Sequence, residues 1–270
     1  MKYKCGNCGS RKYWKLGSGE FRCRVCRKDT KPKFISGFNL SKKDWIEIID
    51  LFLLEVNSPT IKEKTKRSLG TINRMLRRLR LVMAKDVPGI FSGTVEVDET
   101  YLGGQKKNKR KSQIKKDIET FGKESKRGFG TTKQPVFGIL CRSGKVFAKL
   151  VLDTEAKDLI PIITKKVKVG SRICSDTYRS YTGLAAMGYV HRTVEHRKKE
   201  YTKGKNHING LEGFWGFLKR KLASKGGVRR IYLPLFLGEY VWRYNHKKDD
   251  LIKQKERLLK LLINKFGAKY

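Results

Sequence analysis

Thr94-Val95-Glu96-Val97-Asp98-Glu99-Thr100-Tyr101 is the stretch on which the fold turns. β-branched residues alternate with acids here, the period of two that marks a strand, and carboxylates recur inside an otherwise apolar pattern. An unpaired buried carboxylate is costly, so acids in such a place need a partner or a task. Strand signals continue downstream. Pro135 to Asp153 reads as a hairpin, PVFGILCR then KVFAKLVLD, turning at Ser143-Gly144. Glu155 to Val167 reads as a helix, Ser171 to Asp176 as a strand, Arg179 to Met187 as a helix and Tyr189 to Val194 as a strand. Leu211 to Ala223 is a well-marked helix, and the chain from Leu233 adds two more. Strands first, then alternating strand and helix, predict an α/β domain: a mixed sheet with flanking helices.

Three acids stand out against this pattern. Asp98 lies in TVEVDETY, Asp176 ends RICSD, and Glu212 lies on the helix NGLEGFWGFLKR. Carboxylates from two strands and one helix of a mixed sheet can converge at one edge and hold two divalent cations about 3.5 to 4 Å apart, an arrangement that opens and rejoins phosphodiester bonds. Spacing alone leaves other assignments open. An Asp at a strand end commonly caps or pairs, and Glu96 or Glu99 would fit the first position nearly as well. Glu212 and Lys219 are seven residues apart, so they share a helix face, and Lys219 could reach a phosphate beside a metal held by Glu212. Leu211, Phe214, Trp215, Leu218 and Leu222 form the adjoining apolar stripe and read as core.

Upstream of Gly93 the period changes to helical. Ser41 is a plausible N-cap for Lys42 to Glu55, where Trp45, Ile48, Ile49, Phe52 and Leu53 recur, and Asn57-Ser58-Pro59 stops that helix. Thr60 opens a second helix to about Arg67, and a break at Ser68-Leu69-Gly70 leads into Thr71 to Met83, with Arg74, Arg77, Arg78 and Arg80 between its apolar positions. Two helices with a Gly-containing break and an arginine-rich second member suggest a helix-turn-helix over 38–88, with Arg74, Arg77 and Arg78 as candidate DNA contacts. A solvated helical hairpin would carry the same pattern.

The first 33 residues have their own logic. Cys5-x2-Cys8 and Cys23-x2-Cys26 stand with fourteen residues between the pairs, the spacing of a closed tetrahedral four-sulfur shell for one structural Zn2+. Tyr13-Trp14-Lys15 and Glu20-Phe21-Arg22-Cys23, joined by Gly17-Ser18-Gly19, predict two short strands and hence a zinc ribbon. A redox dithiol pair or an iron–sulfur site are the competing readings. Cys141 and Cys174 lie in apolar strand segments and read as buried thiols.

Composition agrees with a nucleic-acid partner. Sixty-three Lys and Arg against 25 Asp and Glu leave a net charge of +38 over 270 residues, while 39% hydrophobic residues suffice for folded cores. Between Gln105 and Arg127 lie ten Lys or Arg and only three acids, which predicts an exposed basic insertion (105–133) in the sheet domain, either an idle solvated loop or a clamp on DNA backbone. Neither a signal-like run at Met1-Lys2-Tyr3-Lys4-Cys5 nor a stretch of about 18 apolar residues is present, so a cytoplasmic protein without membrane association is expected.

Taken together, VEVDETYLGG, PVFGIL, ICSDTYRSY and HINGLEGFWGFLKRKL, following a four-cysteine ribbon, resemble the ISXO-like group of DDE transposases of prokaryotic insertion sequences. The resemblance runs from about Cys5 to Asn245. It implies an RNase H-like catalytic domain over 93–247, with 248–270 as a C-terminal helix, two catalytic Mg2+ ions, and transposition of the encoding element. Asp98, Asp176 and Glu212 would be the catalytic acids and Mg2+ ligands, with thirty-five residues between the last two, and Lys219 would contact DNA near the cut site. Asn209, one turn before Glu212, could share the third-ligand role. His207 and Asn209 form the HxN segment typical of the group, His207 reading as a helix-entry hydrogen bond. Where the group often carries Gly-x-Tyr-His after the catalytic helix, this chain has Gly226-Gly227-Val228-Arg229-Arg230.

The expected activity is therefore that of a DNA transposase in the cytoplasm of a prokaryote, associated with the nucleoid. Its ribbon and helices would bind terminal inverted repeats in double-stranded DNA, and its core would cut and join strands as a homodimer or larger synaptic assembly. A non-catalytic zinc-ribbon regulator and a structure-specific nuclease on the same fold are the alternatives.

Overall fold

The structure, a computed structural model, describes residues 5–17, 20–30, 33–103, 110–121, 131, 133–177, 179–194 and 208–267. The chain divides into two compact units, one running to Met83 and resuming at Lys248, the other spanning Ala84–Lys247.

The first unit opens with three short antiparallel strands in the order β1-β2-β3: β1 (Tyr13–Lys15), β2 (Phe21–Cys23) and β3 (Asp29–Thr30). β3 was not expected from the sequence. It is two residues long, too short to carry a periodic signal, and is held to β2 by the paired bonds of Arg22 to Asp29 at 2.7 and 2.8 Å. α1 (Lys42–Leu53) starts on a capping box in which Ser41 and Asp44 satisfy each other's backbone N–H groups, and it buries the five expected apolar residues. α2 (Ser58–Thr65) begins earlier than expected, because Asn57 accepts from the Thr60 N–H as its N-cap and Pro59 sits in the first turn, where a missing N–H costs nothing. Left-handed Lys66 ends it. α3 (Leu69–Met83) absorbs Gly70 into its first turn and buries Ile72, Met75, Leu76, Leu79, Val82 and Met83.

The second unit is built on β4 (Thr94–Leu102). After it come α4 (Lys111–Phe121), β5 (Gln134–Cys141), β6 (Val146–Leu150), α5 (Ala156–Lys166), β7 (Arg172–Ser175) and β8 (Val190–Thr193), then α6 (Asn209–Ala223) and α7 (Leu233–Asn245). The sheet order is β6-β5-β4-β7-β8, antiparallel from β6 to β4 and parallel from β4 to β8. Two expectations are corrected here. The basic insertion is not all loop, since α4 forms within it, and the helix expected over Arg179 to Met187 is a 3-10 helix that ends at Leu184. In α4 only Ile114, Ile118 and the last residue, Phe121, are apolar, so the helical period is faint in the sequence.

The pleat sorts β4 onto two faces. Val95 and Val97 join Phe137, Ile139, Leu159, Ile163 and Tyr181 in one core. Leu102 joins Val136, Leu140, Leu211, Phe214, Trp215, Leu218, Leu237 and Tyr240 in the other, beneath α6 and α7. Cys141 and Cys174 are buried thiols, neither of them in a disulfide. Finally α8 (Leu251–Phe266), capped by Asp250, returns to the first unit and packs on α1 and α3, with Lys255 Nζ 3.0 Å from Asp50 and Arg78 stacked 4.2 Å over Phe266. Among the described residues no helix is long and apolar enough to cross a membrane.

Candidate active site and metal centre

Asp98 lies on the central strand, on the face covered by α6. Its Oδ2 accepts from Trp215 Nε1 at 2.9 Å. Gly138, paired directly across from Asp98 on β5, makes this possible: a Cβ there would come within 2.6 Å of Trp215 Cζ2. The indole therefore lies over bare backbone and reaches the carboxylate beside it. Burial pushes the Asp98 pKa up to about 7; the Trp215 bond opposes the rise, and the charges of Asp176 and Glu212 reinforce it.

That last cause places the other two acids. β7 runs parallel to β4 with Glu96 opposite Cys174, so Asp176 follows β7 by the same step that takes Glu96 to Asp98. Here β7 and its parallel pairing with β4 end, the usual place for a site in an open α/β sheet. Ser175, immediately before it, donates to the Asp176 carbonyl at 2.7 Å and lies 2.9 Å from His191 Nε2. Glu212 sits in the first turn of α6, exposed to solvent. Lys219, two turns on, is also exposed, yet crowding lowers its ammonium pKa; Asp98 counters that fall and Lys133 adds to it. Asp98 thus feels Asp176, Glu212 and Lys219 together.

The rival acids on β4 are otherwise engaged. Glu96, 1% exposed, accepts from the Leu211 backbone N–H at 2.8 Å and lies 3.7 Å from Arg142 Nε. It gives a first-turn N–H of α6, which also reaches the Ile208 carbonyl at 3.1 Å, its shorter acceptor, and puts a negative charge at the positive end of the helix dipole. A Cβ on Gly210 would come 2.9 Å from that carboxylate, so glycine lets the helix end approach. Glu99 points to the opposite face and accepts from the buried Tyr181 hydroxyl. Burial raises its pKa to about 8, against the Tyr181 bond and with help from Asp98 and Asp176.

The cysteine quartet is drawn together more tightly. The Sγ atoms of Cys5, Cys8, Cys23 and Cys26 all lie within 4.8 Å of one another, the one such group among the described residues. Each pair sits on the same kind of turn: Gly9 N–H donates to the Cys5 carbonyl at 2.9 Å and Arg27 N–H to the Cys23 carbonyl at 3.1 Å, both donors at positive φ. Four thiols converging on one point fit a tetrahedral soft cation. The three carboxylates form a more open set of hard oxygen donors. Such donors suit a hard divalent cation, whose charge would offset the burial, and the nearby charges of Asp176 and Glu212, that raise Asp98.

Other sequence-derived candidates are placed less simply. Arg74 donates to the Gly37 carbonyl at 3.0 Å and stacks over Phe38, and Arg78 stacks over Phe266, whereas Arg77 is exposed. Asn209 is the exposed first residue of α6. His207, and the insertion outside 110–121, 131 and 133, lie outside the described residues. Sequence reasoning missed three participants: Gly138, Tyr181 and the hydrogen-bonding role of Trp215. Trp215 stood in the apolar stripe, where its ring belongs; only its placement one turn after Glu212 hinted at its second role.

Residues 90–245 match the family model of the ISXO2-like transposase domain. A Haemophilus influenzae protein named "Uncharacterized transposase-like protein" is 34% identical over 119 residues, which cover 44% of this chain and 94% of that protein. Among solved structures, the cryo-EM structure of a simian T-cell lymphotropic virus intasome in complex with PP2A regulatory subunit B56 gamma aligns over 74% of this chain and 68% of the other. That alignment has 10% identity and a TM-score of 0.35, too low for any argument about the fold.

Proposed function

The chain belongs to the family of ISXO2-like transposase domains, and from that premise we propose that it cuts and rejoins DNA at the ends of an insertion sequence with the acids around Asp98. The observation that carries this reading is one of placement: Asp98 lies on the central strand against α6, which bears Glu212, and Asp176 follows the parallel strand β7, so that burial first, and then the charges of Asp176 and Glu212, disfavour the Asp98 anion. The buried Asp98 carboxyl is costly as an anion, and a cation shared with Asp176 and Glu212 would offset that cost. We read the second unit as RNase H-like, on the strength of its sheet order and its acids on β4, after β7 and on α6.

Asp98, Asp176 and Glu212 would hold magnesium, with Asn209 close enough in sequence to assist Glu212. When bound, magnesium would supply a water of lowered pKa and neutralise charge on the phosphate being attacked. The chain's own residues do the rest. Lys219, on the face of α6 that carries Glu212, holds the DNA phosphate beside the acids, and its crowded ammonium is poised to gain from an anionic neighbour. The Cys5, Cys8, Cys23 and Cys26 set would hold one structural zinc, and the ribbon with α3 would recognise the terminal inverted repeats. There Arg77 is the freest of the three arginines to meet phosphate, since Arg74 and Arg78 also brace their own unit. Holding two ends at once calls for at least a dimer.

The test is a strand-transfer assay with purified protein, labelled DNA carrying the element's flanking ends, a target plasmid and magnesium, alongside Asp176→Ala. Joined products from the wild type alone are expected. Specific end binding with neither cutting nor joining, under several metals, would point instead to a regulator; cutting without joining would point to a nuclease.

A further inference from the structure

We infer that Trp215 is a positioning residue for Asp98, its indole N–H setting the orientation in which that carboxylate meets a divalent cation; this rests on the metal reading of the acids given above. A tryptophan buried under a helix is ordinarily explained by its ring. Here ring and N–H are separable. The ring packs with Phe214 and Leu218 in the core beneath α6, and a phenylalanine would fill most of that space, as Phe214 and Phe217 do elsewhere on the same helix. The N–H is what phenylalanine lacks, and it is spent on Asp98 Oδ2 at 2.9 Å.

Three further features belong to the same arrangement. Gly138 stands directly across the ladder from Asp98, and any side chain there would collide with the indole at 2.6 Å from Cζ2, so the sheet carries a gap where the ring must lie. Glu96, two residues before Asp98 on the same strand face, accepts from the Leu211 N–H at 2.8 Å, so α6 is held to β4 at two points one turn apart. Along α6, Trp215 falls between Glu212 and Lys219 on one face, three residues after the acid and four before the base. One helix therefore presents an acid, the donor that orients a second acid, and a base. A hydrogen bond from a fixed donor holds the plane of the carboxylate, the outer-shell arrangement that orients metal ligands.

The experiment is Mn2+ binding, followed by electron paramagnetic resonance or calorimetry on the full-length, zinc-loaded protein, for wild type, Asp98→Asn and Trp215→Phe. Cleavage of end DNA is measured in parallel as a function of Mn2+ concentration. The wild type should show an Asp98-dependent site, and Trp215→Phe should weaken it about ten-fold or more. Its cleavage should recover toward the wild-type maximum at high Mn2+, because a misoriented ligand is overcome by concentration. Circular dichroism melts show whether Trp215→Phe folds; if it does not, benzothienylalanine placed at position 215 keeps the bicyclic shape while replacing the N–H with sulfur, and the same loss is expected. Wild-type Mn2+ affinity in the folded variant would overturn the proposal, as would a lower maximal rate at unchanged Mn2+ half-saturation. Absence of any Asp98-dependent Mn2+ site in the wild type would overturn the metal reading itself, and the proposal with it.

Discussion

At the scale of single residues, the site is a problem in charge. Asp98 and Glu99 are neighbours on one strand, yet the pleat sends them to opposite faces, where Asp98 accepts from the Trp215 side chain and Glu99 from that of Tyr181. Substituting Asp98 or Asp176 by alanine should abolish cleavage and joining while end binding persists in a mobility-shift assay; loss of the folded state in both would make them structural instead. Their titration makes a second prediction. An ordinary carboxyl titrates near 4, whereas Asp98 is raised to about 7 and Glu99 to about 8. Between these values the folded protein binds more protons than the unfolded one, so without divalent cation its stability should fall as pH rises from about 4 to about 8 and level off above that. A cation needs the ionised Asp98, so Mn2+ affinity should climb with pH through about 7. Calorimetric melts across that range, with and without Mn2+, check both slopes; a flat profile in the absence of metal would contradict the assigned burial.

At the scale of elements, the register of β4 against its neighbours decides which acid does what. Glu96, Asp98 and Leu102 share the α6 face, and only the height of α6 along that face makes Glu96 a cap and Asp98 a partner of Glu212. Glu96→Ala should leave the Leu211 N–H only the Ile208 carbonyl at 3.1 Å and remove the carboxylate beside Arg142, costing about 1 to 3 kcal/mol in urea unfolding. Cleavage should fall as well, because Glu212 and Trp215 ride on the loosened helix. Glu96→Gln keeps an acceptor and should recover most of the stability, whereas a purely ionic role would leave the two variants alike. The return of α8 to α1 and α3 is another register effect: the amphipathic stripe around Leu258 and Leu262 finds its apolar partners in the first unit.

At the scale of the whole molecule, metal and salt act on different parts. Removing zinc with a chelator should unfold the cysteine module, since its three strands contribute only eight backbone-paired residues and almost no apolar core beyond Tyr13 and Phe21. End recognition should then weaken, and an unchanged footprint after chelation would count against the module's role. A net charge of +38 predicts a steep salt dependence, with log K falling by about 0.9 per neutralised phosphate for each unit of log salt in duplex DNA. Replacing Arg77 should reduce that slope by about one, measured by titration across 50 to 200 mM salt.

The sequence by itself determined what depends on neighbours along the chain. Period-two acids marked β4, the doubled C-x-x-C marked a four-thiol cluster, and the Glu212–Lys219 spacing put acid and base on one helix face. These signals are local, because pleat and helix repeat oblige residues at fixed intervals to share a side. Much of the family likeness was legible for the same reason, in short contiguous segments. Only the tertiary structure decided which β4 acid meets α6, why position 138 carries no side chain, and that a core tryptophan spends its N–H on a carboxylate. Each is a contact between residues dozens to more than a hundred positions apart, created when two elements pack at one particular register, and neither composition nor period records that distance.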